Sequence, residues 1–241
     1  MKKYLFVFLL IPALALAQTP DHRGEAVTKS TMYRGVKADA PIPGHLHFHN
    51  EGGSDGQGLC VICSVIINGR YQKVPGLAGG KDSDLWRAAK AAPGGYSDDK
   101  LKRLIQRVMP GEKYASYVGT GSPKDRELLE RVSKAGYPIG VTMNTGQLYG
   151  YRPIHHMVSL IYYRRGGWAC IVDNNRPGFY SWMPADEFDR RWVDQGMVWA
   201  WWWTRLPVLL VGGFTLFFVA GAIFLAIEFE VERRQILETE S

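Results

Sequence analysis

The hydrophobic pattern of this chain changes period once, near Pro138, and no other feature constrains the fold as strongly. Before it, apolar residues recur at helical spacing. Ser97 caps an expected helix over Asp98–Val108, with Leu101, Leu104, Ile105 and Val108 on one face and Pro110-Gly111 as its stop. Ser122-Pro123 opens another, with Asp125 and Glu127 early, Leu128, Leu129 and Val132 inward, and Gly136 at its end. A further helix is expected around Ser83–Ala91, before Pro93-Gly94-Gly95. After Pro138, short strands are expected over Pro138–Met143, His156–Tyr163, Trp168–Val172 and Phe179–Met183. Arg164-Arg165-Gly166-Gly167 reads as a hairpin link, and Pro184–Trp192 as a short closing helix. Helices first and an antiparallel sheet afterwards predict an α+β fold.

The most reactive-looking residue stands ahead of these elements. Cys60 follows a glycine-rich run, Gly52-Gly53-Ser54-Asp55-Gly56-Gln57-Gly58-Leu59, and opens an apolar stretch through Ile67. That pattern predicts a loop feeding a buried helix from Cys60 to about Arg70. At a helix N-terminus the macrodipole is positive and backbone N–H groups are unpaired. Both favour thiolate, the nucleophilic form of cysteine.

A cysteine nucleophile needs a base, and the base needs a partner that fixes its tautomer. His156 begins the apolar strand Met157-Val158-Ser159-Leu160-Ile161, and Asp173 ends Ala169-Cys170-Ile171-Val172. If the two strands pair through the Arg-Arg-Gly-Gly link, His156 and Asp173 fall at the same end of a hairpin. His155 and His156 are adjacent, so in a strand they face opposite sides and one of them serves chemistry. We place His156 there and expect His155 at the surface or in packing. Asp173 and Asn174 compete in the same way for the orienting place, with Asp173 preferred.

Gly58-Leu59-Cys60-Val61-Ile62-Cys63-Ser64, the His156-Met157-Val158 strand and the Val172-Asp173-Asn174-Asn175 strand end together resemble the papain-like superfamily. Within it they are similar to the bacteriocin-processing, C39-like peptidases. The resemblance spans about Asn50 to Trp192. It implies a papain-like α+β domain, with the nucleophile helix packed on the sheet. It also implies cleavage of a peptide or amide through a thioester that water or an amine resolves, on a peptide or protein substrate and without a cofactor or metal.

The resemblance leaves two thiols in competition. Papain-like enzymes carry an oxyanion-hole glutamine about six residues before the nucleophile, and on that count Gln57 points to Cys63. The landmark Gly-x-Cys followed by Ser matches Gly58, Cys60 and Ser64 instead, and moves the oxyanion position to Ser54. We take Cys60, which adjoins the glycine loop, whereas Cys63 lies a turn deeper and suits a small core residue. The expected catalytic set is Cys60, His156 and Asp173, with Gln57, Ser54 and Asn174 at the substrate.

A rival reading begins at His45, His47 and His49. If His45–His49 is a strand, the three imidazoles share a face and suit zinc or copper. The alternatives to an enzyme are therefore a metal-binding protein using these residues, or a catalytically inactive papain-like binding module.

The chain ends complete the expected organisation. Met1-Lys2-Lys3, the apolar run to Leu16 and Ala15-Leu16-Ala17 predict a signal peptide over residues 1–17. Residues 18–44 are polar and proline-containing, an expected extended arm before a hydrolase domain over 45–198. Leu206–Ile227 carries no charge and is long enough to cross a bilayer. Trp199, Trp201, Trp202 and Trp203 precede it as an expected interfacial belt, giving a membrane segment over 199–227 and a cytoplasmic tail over 228–241. The body would then lie outside the cytoplasm, held at the bilayer by that helix. The net charge of +6 is scattered in short pairs such as Arg164-Arg165 and Arg190-Arg191, which does not make a nucleic-acid surface. Three cysteines permit one disulfide, for example Cys63 with Cys170, beside one free thiol.

Overall fold

A computed structural model of the chain describes residues 25–51, 58–92, 94–145, 154–193 and 198–204. Five helices and nine strands occur among these residues, together with short 3-10 turns at Gly44–Leu46 and Gly80–Asp82. Helix α1, Leu59–Tyr71, is apolar on all sides and is buried from Leu59 through Gly69, as a central helix must be. Helix α2, Asp84–Ala91, starts where the Ser83 hydroxyl accepts from the Trp86 N–H. Helix α3, Asp98–Val108, has the matching Ser97 cap on the Lys100 N–H, and buries Leu101, Leu104 and Ile105. Helix α4, Pro123–Lys134, opens with a Ser122–Asp125 capping box and proline in its first turn. Helix α5 is Ala185–Val193.

The strands are β1 (Ala26–Thr28), β2 (Met32–Tyr33), β3 (Val36–Lys37), β4 (Tyr114–Gly119), β5 (Ile139–Asn144), β6 (His155–Tyr163), β7 (Trp168–Val172), β8 (Tyr180–Pro184) and β9 (Val198–Trp203). Seven of them form one antiparallel sheet in the order β1-β8-β7-β6-β5-β9-β4, and β2 pairs with β3 apart from it. One cluster joins α1, α2 and α3 to Met157, Trp199, Trp201 and Trp203. A second joins α4 and α5 to Val141, Val158, Ile171 and Ala200. The sheet is thus packed by helices on both faces. The fold is α+β with an antiparallel sheet.

Several boundaries differ from the sequence expectation. The tryptophan run is not an interfacial belt: Val198–Trp203 is a strand between β5 and β4, with Trp199, Trp201 and Trp203 buried. Period-two alternation explains it, since these indoles share the face toward α1 while Val198 and Ala200 share the other. Gly140, opposite Trp201, leaves room for that indole, because a Cβ at position 140 would collide with the ring. The domain therefore does not stop at 198. Nor does it start at 45, because β1 pairs with β8 and the arm buries Ala38, Ala40 and Ile42 against β6–β8. The arm is tied down by Ala40 N–H donating to the Ile161 carbonyl and by a bidentate Arg164–Asp39 pair. Helices do not simply precede strands either, since β4 lies between α3 and α4.

The expected signal peptide, the apolar run at 206–227 and the charged tail lie outside the described residues. Among the described residues no helix is long and apolar enough to cross a membrane.

Candidate active site

Gly58 sets the first residue of the site in place. It is the N-cap of α1, with a left-handed φ of 80°, a conformation that costs glycine little. A Cβ there would lie 2.7 Å from Gly95 Cα and closer still to the Gly94 carbonyl oxygen. The chain can thus turn sharply into α1 beneath the α2–α3 connection. Cys60 follows in the first turn of the helix. His156 bears on its thiol through hydrogen bonding and charge, with smaller help from the Met157 and Val61 backbone.

The second residue comes from the edge of β6. His156 is 4% exposed and Asp173, just past β7, is 2% exposed. The β6–β7 pairing carries them to the same end of the sheet, where His156 Nε2 lies 2.8 Å from Asp173 Oδ1. Asp173 thus takes Nε2 and leaves Nδ1 as the other ring nitrogen. Asp173 is itself held by the turn that follows. The Asn175 N–H donates to Oδ1 at 2.8 Å and the Arg176 N–H donates to the Asp173 carbonyl at 2.9 Å.

Burial alone would raise the Cys60 thiol and lower the His156 imidazole. Both are overruled. The His156 contact holds the Cys60 thiol below its ordinary range, and Asp173 together with Cys60 pushes His156 up. The two shifts have one cause, an imidazolium–thiolate pair backed by a buried carboxylate. Cys63 is different. Burial, with the Cys60 sulfur next to it, drives its thiol well up, and its sulfur reaches only Asn50 Oδ1 at 3.9 Å. Cys170 is likewise raised by burial. All three cysteines are unpaired, so of the two possibilities for Cys170, pairing with Cys63 or sitting reduced in the sheet, the structure has the second.

A cleft of about 380 Å³ opens over the sulfur. Gly58, Cys60, Tyr96, Thr142, His155 and Trp199 are among its walls. His155 is exposed, as expected for the other member of the pair, and it borders the cleft, whereas His156 is buried. Tyr96, Thr142 and Trp199 were missed from sequence. Only Trp199 carried a usable signal, the alternation of tryptophans with small residues.

Asn174, expected at the substrate, is elsewhere. It is 1% exposed and its amide Nδ2 donates to the Met157 carbonyl at 2.9 Å, to Ser64 Oγ at 3.1 Å and to the Cys60 carbonyl at 3.2 Å. It bolts α1 to β6 from within. Ser54 and Gln57 lie outside the described residues.

The three histidines of the rival reading do not share a strand face. Gly44–Leu46 is a 3-10 turn, and His47 is buried with Nε2 at 3.3 Å from the Ile42 carbonyl and Nδ1 accepting from the Gly178 N–H at 3.0 Å. Both ring nitrogens are thus committed to backbone. Among the described residues no group of histidine, cysteine and carboxylate side chains is arranged to hold a metal ion.

No protein-family model matches this chain, and no curated protein matches it. Among solved structures it is similar to a crystal structure from Bacillus anthracis named as a C39-like peptidase. The two share 22% identity over 47% of this chain and 62% of that one, with a TM-score of 0.33. At that level of similarity the chemistry is read from the residues themselves.

Proposed function

We propose that this protein is a cysteine peptidase or amide hydrolase of the papain-like kind, working through Cys60, His156 and Asp173. The observation that carries the reading is the buried His156–Asp173 pair at 2.8 Å, beside a Cys60 thiol that His156 holds low and that borders a cleft. A purely structural cysteine in this core would share the raised thiol of Cys63 and Cys170.

The residues support a two-stage reaction. The Cys60 thiolate attacks a substrate carbonyl carbon, and the π electrons move to oxygen. Backbone N–H groups in the first turn of α1, which have no partner within the helix, are the donors available to that oxyanion. The intermediate collapses as the C–N bond breaks and the His156 imidazolium gives its proton to the departing amine. A thioester on Cys60 remains. Neutral His156 then takes a proton from water, whose oxygen attacks the thioester carbonyl, and the carboxylic acid leaves with the thiolate restored. Asp173 stays ionised throughout and fixes the imidazole.

The test is an electrophilic peptide, such as a peptidyl chloromethyl ketone, followed by mass spectrometry of the adduct. Labelling should fall on Cys60, vanish in Cys60→Ala and persist in Cys63→Ala. Labelling that survives Cys60→Ala and disappears in Cys63→Ala would reassign the nucleophile. Absence of any adduct would leave the domain as an inactive binding module.

We further propose that the hydrolase is tethered outside the cytoplasm. The support is the sequence alone: the basic, apolar and small-x-small start and the uncharged run Leu206–Ile227. Protection of the tail but not of the domain from added protease in sealed cells would test it.

A further inference from the structure

A second cleft, of about 350 Å³, lies on the other side of Tyr96 from the Cys60 cleft, and Tyr96 is a wall of both. Its floor is Ala92, Tyr96 and Leu104, and its rim is Lys100, Arg103 and Arg107. The three cations fall on one side of α3 because 100, 103 and 107 follow helical spacing. None of the lining residues is acidic.

The shared wall is built firmly. The Tyr96 hydroxyl donates to the carbonyls of Ala89 and Ala92 at the end of α2, 3.4 and 3.3 Å away. The Lys100 ammonium sits 4.4 Å from the centre of the Tyr96 ring and donates to the Gly94 and Gly95 carbonyls. Lys100 is therefore occupied in shaping the connection between the clefts. Arg103 and Arg107 are exposed and form no ion pair with a carboxylate among the described residues. Arg126, Arg164, Arg165 and Arg191 are by contrast paired with acids, while Arg70 donates to the Leu46 carbonyl and Arg34 lies over the Tyr33 and Trp168 rings. Two unpaired guanidiniums on the rim of an apolar trough offer a fork geometry suited to carboxylates, while the trough accepts the aliphatic stems between them.

We infer that the groove along α3 is a substrate subsite for an acidic peptide segment, with Arg103 and Arg107 receiving its carboxylates. This rests on the hydrolase reading, which it deepens by giving the substrate a class: a peptide whose scissile bond lies at Cys60 and whose glutamate- or aspartate-bearing flank runs past Tyr96 onto α3. The trough shares the Tyr96 wall with the Cys60 cleft, which places it beside the proposed scissile bond and favours a peptide over an anionic lipid surface.

The experiment uses the full chain carrying Cys60→Ala, so that binding is measured without chemistry. Two fluorescent peptides of equal length are compared by anisotropy, one glutamate-rich and one with glutamine at the same places. The glutamate peptide should bind about tenfold tighter, and about 0.5 M sodium chloride should erase most of the difference. Arg103→Gln combined with Arg107→Gln should abolish the preference. Lys102→Gln, on the same helix but outside the groove, should preserve it. Equal binding of the two peptides, or a preference that survives the double arginine change, would overturn the subsite. So would arginine-dependent binding to phosphatidylserine vesicles without discrimination between the peptides, which would assign the cations to a lipid surface. Failure of the wild-type Cys60 to react with an electrophilic peptide would overturn the hydrolase and leave this binding result standing.

Discussion

The Asn174 side-chain amide reaches the backbone carbonyl of Cys60 at 3.2 Å, bridging 114 positions of chain. The same nitrogen reaches Ser64 Oγ and the Met157 carbonyl, and Ser64 Oγ donates in turn to that carbonyl at 3.1 Å. Cys60 and His156 thus belong to elements tied together behind the site. Asn174→Ala removes the one side chain that joins the Cys60 carbonyl, Ser64 Oγ and the Met157 carbonyl, although Ser64 still donates to Met157. Stability should fall by roughly 1–3 kcal/mol, the cost of losing a buried hydrogen-bonding group. Alkylation of Cys60 should slow as its register against His156 loosens. Urea denaturation and iodoacetamide kinetics on the same samples measure both.

The Cys60–His156 pair sets a pH window for reactivity. The thiol is held below its ordinary value and the imidazole above its own. Thiolate and imidazolium therefore coexist from below the usual thiol range to above the usual imidazole range. Alkylation of Cys60 should stay fast to lower pH than that of an ordinary thiol, which titrates at about 8.5. In His156→Gln the burial of Cys60 acts without the imidazolium, so the thiol moves up. Its alkylation rate at neutral pH should drop at least about tenfold. Rate against pH, followed by mass spectrometry, reads both arms.

His47 should make the fold acid-labile. Burial, reinforced by His45 and partly offset by the Ile42 carbonyl, lowers its pKa to about 4. Above the unfolded value of about 6.5 the ring is neutral in both states and the fold keeps its full stability. As pH falls from there toward about 4, the unfolded chain takes up the proton first, so stability declines. The loss should reach roughly 2–3 kcal/mol. Protonation also removes the acceptor that Nδ1 offers to the Gly178 N–H. In His47→Gln, whose amide offers a donor and an acceptor without titrating, the extra slope in this window should disappear from denaturation curves taken across pH.

Gly58 and Gly95 form a matched pair for backbone tests. Gly58→Ala forces a side chain into a left-handed conformation, at about 1–2 kcal/mol, and into the backbone of Gly94 and Gly95. Both stability and Cys60 reactivity should fall, because relief requires the start of α1 to move. At Gly95 an added methyl meets nothing within 4 Å, so Gly95→Ala should change stability by no more than about 0.5 kcal/mol. Thermal melts of the two variants separate strain from simple loss of a glycine.

Local signals in the chain decided those elements whose stabilising groups are near neighbours. Ser97 with Leu101, Leu104 and Ile105 defines α3, and Ser122-Pro123 with Asp125 defines α4, because caps and apolar stripes act within a few residues. The strand Trp168–Val172 and the hairpin to His156 were legible for the same reason. The site residues Cys60, His156 and Asp173 could be nominated by type and order. What remained open were choices between neighbours, such as Cys60 against Cys63 or Asp173 against Asn174.

Only the tertiary structure decided which of these neighbours meets His156, and it did so through long-range packing. Trp199–Trp203 is hydrophobic enough for either a membrane interface or a sheet interior. Its partners, Gly140 on one side and β4 on the other, lie far away in sequence and make it a strand. Cys60 and Cys63 sit one turn apart on the same helix. Only the arrival of His156 from β6 gives one an ionic partner and leaves the other in apolar surroundings. Composition and periodicity determine which segments fold as helix or strand. The pKa of a buried thiol depends on which charge the fold brings to it, and that is a property of three-dimensional proximity alone.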